Sequence, residues 1–537
     1  MSAASGRAAG DRGLALLLAG WGLIALGSLW LRPLWPVDET RYASVAWDMW
    51  LRGDFLVPYV NGEPYPHKPP LLFWLIQLGW AAFGVNDWWP RLVGPLCALA
   101  AVPLLLRIER LLRGGRGASP WILFGTLLFA GFVTLTMFDL LLADCVLAAM
   151  IGVLELSGGE RRAGILWLGA GIGLGVLAKG PVVLLHVLPA ALAAPWWASR
   201  LRARALRWYA DLGLGVLLGA AIALAWAVPA GLAGGEAYRR AIFWGQTAGR
   251  VADSFAHREP WWYYAPLLPL ILFPWLVWPR LWKALRELFA GPPDPAARFL
   301  LAWLLLALAG FSLVSGKQAK YLVPELPAFA LLAALALERA RSAPRRWEML
   351  LPLAGFVALP AFLYYLRQAP GVPGAAHWAA SIPRWPLALA ALGAPLLLAV
   401  AARPALEQLR ALAVAMLLAI AVLLVGVVPA VVPYADPRPA AAVLGRLERG
   451  HVPLAHLGKY HAQYNFVGRL RVPIEILDPP EVAAWVAAHP GGRVLTVERR
   501  RQAGEGSAAP EYQVPFRGAW LQIWRGPALL MARPELR

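Results

Sequence analysis

Apolar runs of about 20 residues, each long enough to cross a bilayer as one helix, recur along this chain and fix the solvent in which most of it must fold. They include Leu14 to Leu31, Trp121 to Met137, Leu212 to Leu232, Trp261 to Trp278, Trp385 to Ala402 and Leu412 to Val432, with several more between. Hydrocarbon offers no partner to a backbone N–H or C=O, so such runs must satisfy those groups internally, as helices. With 59% hydrophobic and only 15% charged residues among 537, the chain is too apolar for an ordinary soluble domain. The first run has no small-residue cleavage site and meets a polar loop at once, so it is expected to remain as the first span.

A net charge of +19 raises nucleic acid as a partner, but the basic excess sits in short connections between apolar runs. Topology explains it better, because loops on the cytoplasmic side of a membrane are enriched in arginine and lysine. The arginine-rich connections are Arg107 to Arg116, Arg161 to Arg162, Arg200 to Arg207, Arg280 to Arg286, Arg339 to Arg346 and Arg403 to Arg410. Placing all of them inside predicts about 13 spans, with the amino terminus inside and the carboxyl terminus outside. Parity then demands an odd number of crossings before Arg107, where Leu71 to Phe83 and Leu92 to Leu106 both lie. The first of these is short for a span and is expected to be interfacial or re-entrant. Cys97 and Cys145 fall in apolar runs and read as buried structural thiols.

The outward segments are then residues 32 to 70, turns near Asp139 and Lys179, the loop 231 to 260, the turn Ser315 to Lys320, the loop 367 to 383, and everything after about residue 433. After Pro433 the pattern changes. A helix-like stretch opens at Asp436-Pro437, strands are expected at Val452 to Leu457, Val472 to Leu477, Val494 to Val497 and Trp520 to Trp524, and Asp478-Pro-Pro-Glu481 forms a capping box before an apolar-periodic run. Two units follow, a membrane domain over 1–433 and a small α/β domain over 434–537, outside the membrane on the same charge argument.

Chemistry-bearing residues gather on that outer side. The first outer loop contains Asp38-Glu39-Thr40-Arg41-Tyr42 and ends in His67-Lys68-Pro69-Pro70. Two acids just beyond a span can meet a substrate at the membrane surface; a polar loop with helix-capping acids would look the same. Asp139 and Asp144 stand in apolar surroundings, where an acid is costly unless paired or functional. Five residues apart, about 500° around a helix, they do not share a face, and Asp139 lies nearer the outer surface. Lys317 and Lys320 flank a span and could equally be surface anchors. The alternating glycines of Gly169 to Gly175 follow no strand, so they read as helix packing and not as a nucleotide loop; mid-span His186 reads as a polar partner between helices.

Taken in order, Asp38-Glu39-Thr-Arg41-Tyr42-Ala, Gly53-Asp54, His67-Lys68-Pro-Pro-Leu71, Phe83-Gly84, Arg91-Leu92, Ala178-Lys179-Gly-Pro181, His257-Arg258-Glu-Pro-Trp-Trp-Tyr-Tyr264 and Ser315-Gly-Lys317-Gln-Ala-Lys320-Tyr321 cover most of residues 14 to 330. In this set the chain resembles the bacterial aminoarabinose transferases that modify lipid A and, more distantly, the protein O-mannosyltransferases of the same C-type membrane glycosyltransferase fold. The resemblance implies a polytopic, mainly α inner-membrane enzyme with its active site and terminal domain facing the periplasm. Its implied donor is a sugar on polyprenyl (undecaprenyl) phosphate, and its acceptor lipid A or another extracytoplasmic glycan or protein. It implies Asp38 and Asp139 as the two carboxylates of the reaction, Arg41, Lys68, Arg258 and Tyr321 near the donor phosphate, and Glu39, Tyr42, Lys179 and Lys317 lining the site. Cations there would stabilise the charge that builds on the departing lipid phosphate. With a hydroxyl acceptor Asp38 would be the base; an ionised lipid A phosphate would need none.

Similar enzymes hold a zinc ion between a glutamate just before the lysine of the Lys-Pro-Pro motif and a histidine of a later outer loop. This chain departs from that pattern, with His67 at the glutamate position and His257 at the later one. Two imidazoles could clamp the loops around a metal, or serve as hydrogen-bonding groups near phosphate. The rival class is a transporter or flippase of lipid-linked sugars, which calls for charges spread through the spans and repeats in two halves. Here the charges collect on one side.

Overall fold

The apolar runs form helices, and wherever a run is interrupted the broken backbone finds a partner. The computed structural model describes residues 3–112, 117–245, 258–368, 380–385, 393–499, 501 and 508–537. Among the described residues nine helices are long and apolar enough to cross a membrane, from Arg12–Leu31 to Ala405–Tyr434, and the chain is a multi-pass membrane protein. The expected total of about 13 also counts stretches that the structure divides, such as Trp121 to Met137, split into helices Ser119–Phe124 and Leu127–Phe132. At that break the Trp275 indole donates to the Ile122 carbonyl at 3.0 Å and to Thr126 Oγ1 at 2.9 Å, while Leu127 N–H donates to the Phe273 carbonyl at 2.9 Å. The freed groups are satisfied without water, as a membrane interior requires. Parts of the expected outer loops 231–260 and 367–383, and of the run Trp385 to Ala402, lie outside the described residues.

Helix α1 spans Ala3–Leu31 and is followed by α2, Asp38–Arg52. Asp38 and Glu39 stand in the first turn of α2, where the helix dipole favours acids, and Gly53 closes it in the left-handed conformation at φ 65°. One face of α2 buries Tyr42, Ala43, Val45, Ala46 and Met49, so it lies against the bundle and does not cross it. Strands β1 (Tyr59–Val60) and β2 (Glu63–Pro64) form a hairpin turned by Asn61-Gly62, both with positive φ, the pairing preferred in two-residue hairpin loops. Asp48 of α2 accepts from Gly62 N–H at 2.8 Å and fixes the hairpin to its own helix. Helix α3, Leu71–Phe83, has 13 residues and so spans only about 20 Å, short of the hydrocarbon thickness.

Helices α4 (Trp88–Leu111), α5 (Ser119–Phe124), α6 (Leu127–Phe132), α7 (Phe138–Gly158) and α8 (Arg161–Lys179) follow, with α7 and α8 an antiparallel pair. Small residues set their approach: a Cβ on Gly152 would strike the Leu168 backbone, and one on Gly171 the Ala149 backbone. Gly169 and Gly173 face Leu218 and Ile222 of the long helix Ala205–Ala233, so the glycine series packs α8 on both sides.

From Arg438 the chain forms helix Arg438–Arg449 and then a five-stranded sheet in the order β4-β3-β5-β7-β6. Its strands are β3 (Leu454–Leu457), β4 (Glu475–Leu477), β5 (Arg493–Glu498), β6 (Tyr512–Phe516) and β7 (Ala519–Arg525). β3 runs parallel to β4 and β5, whereas β7 runs antiparallel to β5 and β6. The Asp478–Glu481 capping box is present before helix Val482–Ala488. β6 has no counterpart in the sequence reading: it is an edge strand that carries Pro515 and lacks a run of apolar residues.

One ion pair ties the segment between α1 and α2 to the bundle. Glu39, 2% exposed, receives the Arg32 guanidinium at 2.6 and 3.2 Å, Trp35 N–H at 2.9 Å and Thr136 N–H at 2.6 Å. Arg32 also donates to the Thr134 carbonyl, so both carboxylate oxygens and the guanidinium fork are used. Removing one partner of such a pair leaves an uncompensated buried charge, a loss of about 3–5 kcal/mol, whereas replacing both with apolar groups costs far less. Thermal unfolding of the purified protein should therefore show a large drop for Glu39→Ala and a smaller one for Arg32→Met/Glu39→Met. A Glu39→Ala protein as stable as the parent would remove this pair from the fold's supports.

Candidate active site

Four pieces of chain converge around the amino-terminal turn of α2: the 65–70 segment before α3, the first turn of α7, the last turn of α8, and the 3-10 turn Ala319–Glu325. Asp38 lies between two cations, with Arg41 at 2.5 Å on one carboxylate oxygen and Lys320 at 3.0 Å on the other. Its neighbour across the site, Asp139, is 1% exposed at the start of α7 and ion-paired with Lys179 at the end of α8. The Lys179 ammonium also sits 4.9 Å from the Tyr321 ring centre. Since Lys320 and Tyr321 are consecutive, the 3-10 turn links the two carboxylates, one side chain reaching to Asp38 and the next to the cation on Asp139.

Aromatic side chains build the wall between these groups. Phe138 meets Tyr42 at 4.8 Å and Phe73 at 5.5 Å, both edge to face, and the Lys68 ammonium lies 5.6 Å from the Phe138 ring centre. Tyr65, buried beside Phe73, lies close enough to Arg41 and Tyr42 to influence both. Burial, with Asp38 and Tyr65 adding to it, pushes the Tyr42 hydroxyl well above its ordinary range, so Tyr42 remains a proton-bearing donor.

Burial alone would raise the Asp38 pKa, but Lys320 foremost, then Arg41 and Lys68, outweigh it and hold the carboxyl below its ordinary value. Arg41 moves the other way: burial opposes its charge, and Tyr65, Tyr42 and Asp38 restore and exceed it, so it stays a cation.

Other residues expected at the site take different places. Glu39 is held entirely by Arg32 and two backbone N–H groups, so it supports the site without facing it. Lys317 is 3% exposed and donates to the Glu259 carbonyl at 2.8 Å. Glu259 N–H in turn donates to the Ser315 carbonyl at 3.1 Å, and Arg258 pairs with Gly316, so Lys317 fixes the segment that carries Arg258. Asp144 lies one turn deeper in α7 beside Cys97, away from the Asp139 pair. His186 pairs with Glu325 at 2.5 Å inside the bundle, a polar contact between helices.

His67 packs against Tyr65 with ring centres 5.3 Å apart, while His257 lies outside the described residues. Among the described residues no group of three or more His, Cys, Asp or Glu gathers as a metal site. Two imidazoles are fewer than the three or four protein ligands of a closed zinc centre, so a metal held by them would take water or substrate groups to complete its shell.

The terminal domain contributes a residue that no motif announced. Ser44, two turns along α2 from Asp38, donates to the Ala462 carbonyl at 2.7 Å and accepts from Phe466 N–H at 3.0 Å. This brings His461 over the Arg41 side of α2. Its pKa is lowered by burial first and then by the nearby Arg41, Lys459 and Arg517 charges, with Asp38 opposing, so the imidazole is neutral at neutral pH. The missed signal is a long-range one: residues 44 and 462 are joined only by the fold.

A depressed carboxylate adds stability above its unfolded pKa, and that contribution is lost as pH falls through the still lower folded value. Asp38 therefore stays ionised across the neutral range, and its contribution to a pH–rate profile should be flat between about pH 5 and 8 and fall only below about pH 4. A carboxyl band that titrates near pH 6 in infrared difference spectra of the intact protein and is missing from Asp38→Asn would contradict this.

A family model described as dolichyl-phosphate-mannose-protein mannosyltransferase matches residues 67–228. The undecaprenyl phosphate-alpha-4-amino-4-deoxy-L-arabinose arabinosyl transferase of Pseudomonas paraeruginosa is 35% identical over 411 residues, covering 71% of this chain and 73% of that protein. The protein of the same name from Pseudomonas aeruginosa matches with the same identity and coverage. In three dimensions, the crystal structure of ArnT from Cupriavidus metallidurans bound to undecaprenyl phosphate aligns with a TM-score of 0.73 at 21% identity, over 90% of this chain and 92% of that one. The two share one fold.

Proposed function

From the premise that this chain belongs to the undecaprenyl phosphate-alpha-4-amino-4-deoxy-L-arabinose arabinosyl transferase family, we propose that it moves aminoarabinose from undecaprenyl phosphate to a phosphate of lipid A. The chain is a membrane glycosyltransferase that uses a polyprenyl-phosphate-linked sugar. Inner-membrane location with the site facing the periplasm is part of the proposal, supported by the arginine-rich connections at the opposite ends of the spans.

The observation that carries the acceptor assignment is the double ion pair on Asp38. A carboxylate held by Lys320 and Arg41, with its pKa depressed, is a poor base for a hydroxyl. An acceptor phosphate is already ionised and has no proton to surrender. In this reading one of its oxygens attacks the anomeric carbon, the bond from that carbon to the donor phosphate breaks, and the electron pair leaves with undecaprenyl phosphate. The sugar centre inverts. Arg41, Lys68 and Arg258, with the Tyr321 hydroxyl, meet the charge that appears on the leaving phosphate. Asp38 and Asp139 stabilise positive charge on the sugar and orient its amine and hydroxyls, while Lys179 holds Asp139 in place by its ion pair. The lipid tail of the donor enters between spans.

The test is mass spectrometry of lipid A and of undecaprenyl-linked sugars from matched cells lacking the protein, carrying it, or carrying Asp38→Asn. The expected result is an aminoarabinose-sized addition to lipid A only with the intact protein, and an accumulated lipid-linked sugar with Asp38→Asn. Lipid A left unchanged by the intact protein sinks the acceptor, and normal turnover by a well-folded Asp38→Asn sinks the site.

A zinc clamp between His67 and His257 is a separate part of the proposal, joining the 65–70 segment to the later outer loop. Purified protein is expected to retain zinc, measured by elemental analysis, and His67→Ala to lose it. Active protein free of zinc removes the clamp and leaves the transfer chemistry above intact.

A further inference from the structure

At the end of α7 and α8 remote from Asp139 and Lys179 lies a cavity of about 520 Å³ with an unbalanced set of charges. Four arginines line it, Arg161, Arg200, Arg204 and Arg207, against the one carboxylate of Asp211. That carboxylate is taken by Arg161 at 2.7 Å, with Arg207 at 3.9 Å on its other oxygen. Arg200 and Arg204 have no ion pair among the described residues. The positive-inside rule explains basic loops in general, but it gives no reason for a half-open cavity over buried Leu156 and Trp208.

The surroundings identify the depth. Leu206 and Leu166 beside the cavity are exposed, and so is the nearby Trp196, an aromatic of the kind that sits at headgroup level. α7 has 21 residues, so the cavity is about 30 Å from the first-turn Asp139, one hydrocarbon thickness away. Guanidinium forks match phosphate oxygens two at a time, and basic pockets between helices at this level hold anionic headgroups. We propose that this cavity binds the phosphate of an anionic phospholipid in the leaflet opposite the Asp38–Asp139 site, with Arg200 and Arg204 as its principal donors.

Neighbouring Arg202 provides an internal control. It belongs to the same short helix, Ser199–Arg204, but donates to the Pro195 carbonyl at 2.9 Å and does not line the cavity. Native mass spectrometry of the full-length protein, loaded with phosphatidylglycerol or phosphatidylcholine, should show about ten-fold stronger retention of phosphatidylglycerol. Arg200→Gln/Arg204→Gln should abolish that preference, and Arg202→Gln should change it by less than about two-fold. Equal retention by the double variant, or an equal loss in Arg202→Gln, overturns the proposal, since either means diffuse attraction to a basic surface. Displacement of phosphatidylglycerol by inorganic pyrophosphate at millimolar concentration would assign the cavity to a soluble polyanion and overturn the lipid. Should the double variant fail to fold, Arg204→Lys retains the charge without the fork, and undiminished phosphatidylglycerol preference there counts against bidentate recognition. None of these readouts depends on the sugar or its acceptor.

Discussion

Glu39 accepts from Arg32 on the loop after α1 and from Thr136 N–H just before α7, and nearly everything in the candidate site depends on that pairing. Asp38 is its neighbour in sequence, and Asp139 follows Thr136 by three residues. One buried carboxylate thus sets the position of the two others. In a medium of low dielectric a partly satisfied acid would be worse than none, and Glu39 is satisfied on both oxygens by four donors. The first turn of α2 therefore starts from a fixed point, and its exposed face points the same way whenever the bundle is folded.

The same principle orders the rest of the site. Every acid near it has a cation within reach, yet the pairs differ in consequence. Lys179 beneath the Tyr321 ring encloses Asp139 and fixes that carboxylate in place. Lys320 and Arg41 grip Asp38 from two sides but leave its side chain about one third exposed, so a substrate can reach it. Lys317, on the same short stretch, turns back to the Glu259 carbonyl and holds Arg258's segment in register. Two lysines three residues apart thus do different work: Lys317 stands before the 3-10 turn, and Gln318, extended at φ −146° and ψ 145°, separates it from Lys320 inside Ala319–Glu325.

Membrane character, the small α/β domain and most of its strands were legible because each follows from a local pattern: length of apolar run, alternation, or a capping box. The polar residues between α1 and α3 were also visible, since acids and basic residues just beyond a span stand out against so apolar a chain. What one dimension could not separate was support from contact. Asp38 and Glu39 are adjacent and chemically alike, and only the position of Arg32 and Thr136 in space makes one buried structure and the other an exposed site group. Lys317 and Lys320 present the same problem. The broken helices around Gly125 escaped because the partner that satisfies the break, Trp275, lies 149 residues from Thr126. His461 was invisible for the same reason.

That last residue changes how the terminal domain is understood. Trp47 donates to the Leu470 carbonyl at 2.7 Å, Asn61 exchanges hydrogen bonds with Ile474 at 2.8 and 2.9 Å, and Trp80 stacks on Phe466 at 5.1 Å. α2 and its hairpin are consequently held between two bodies, the bundle below and the sheet domain above. A short amphipathic helix has little stability of its own, because most of a helix's stability in a protein comes from the surfaces its apolar face covers. Asp38 and Arg41 are therefore only as well placed as the docking of the terminal domain allows. The contribution of the domain is geometric: it closes the upper side of α2 and brings a neutral imidazole beside Arg41.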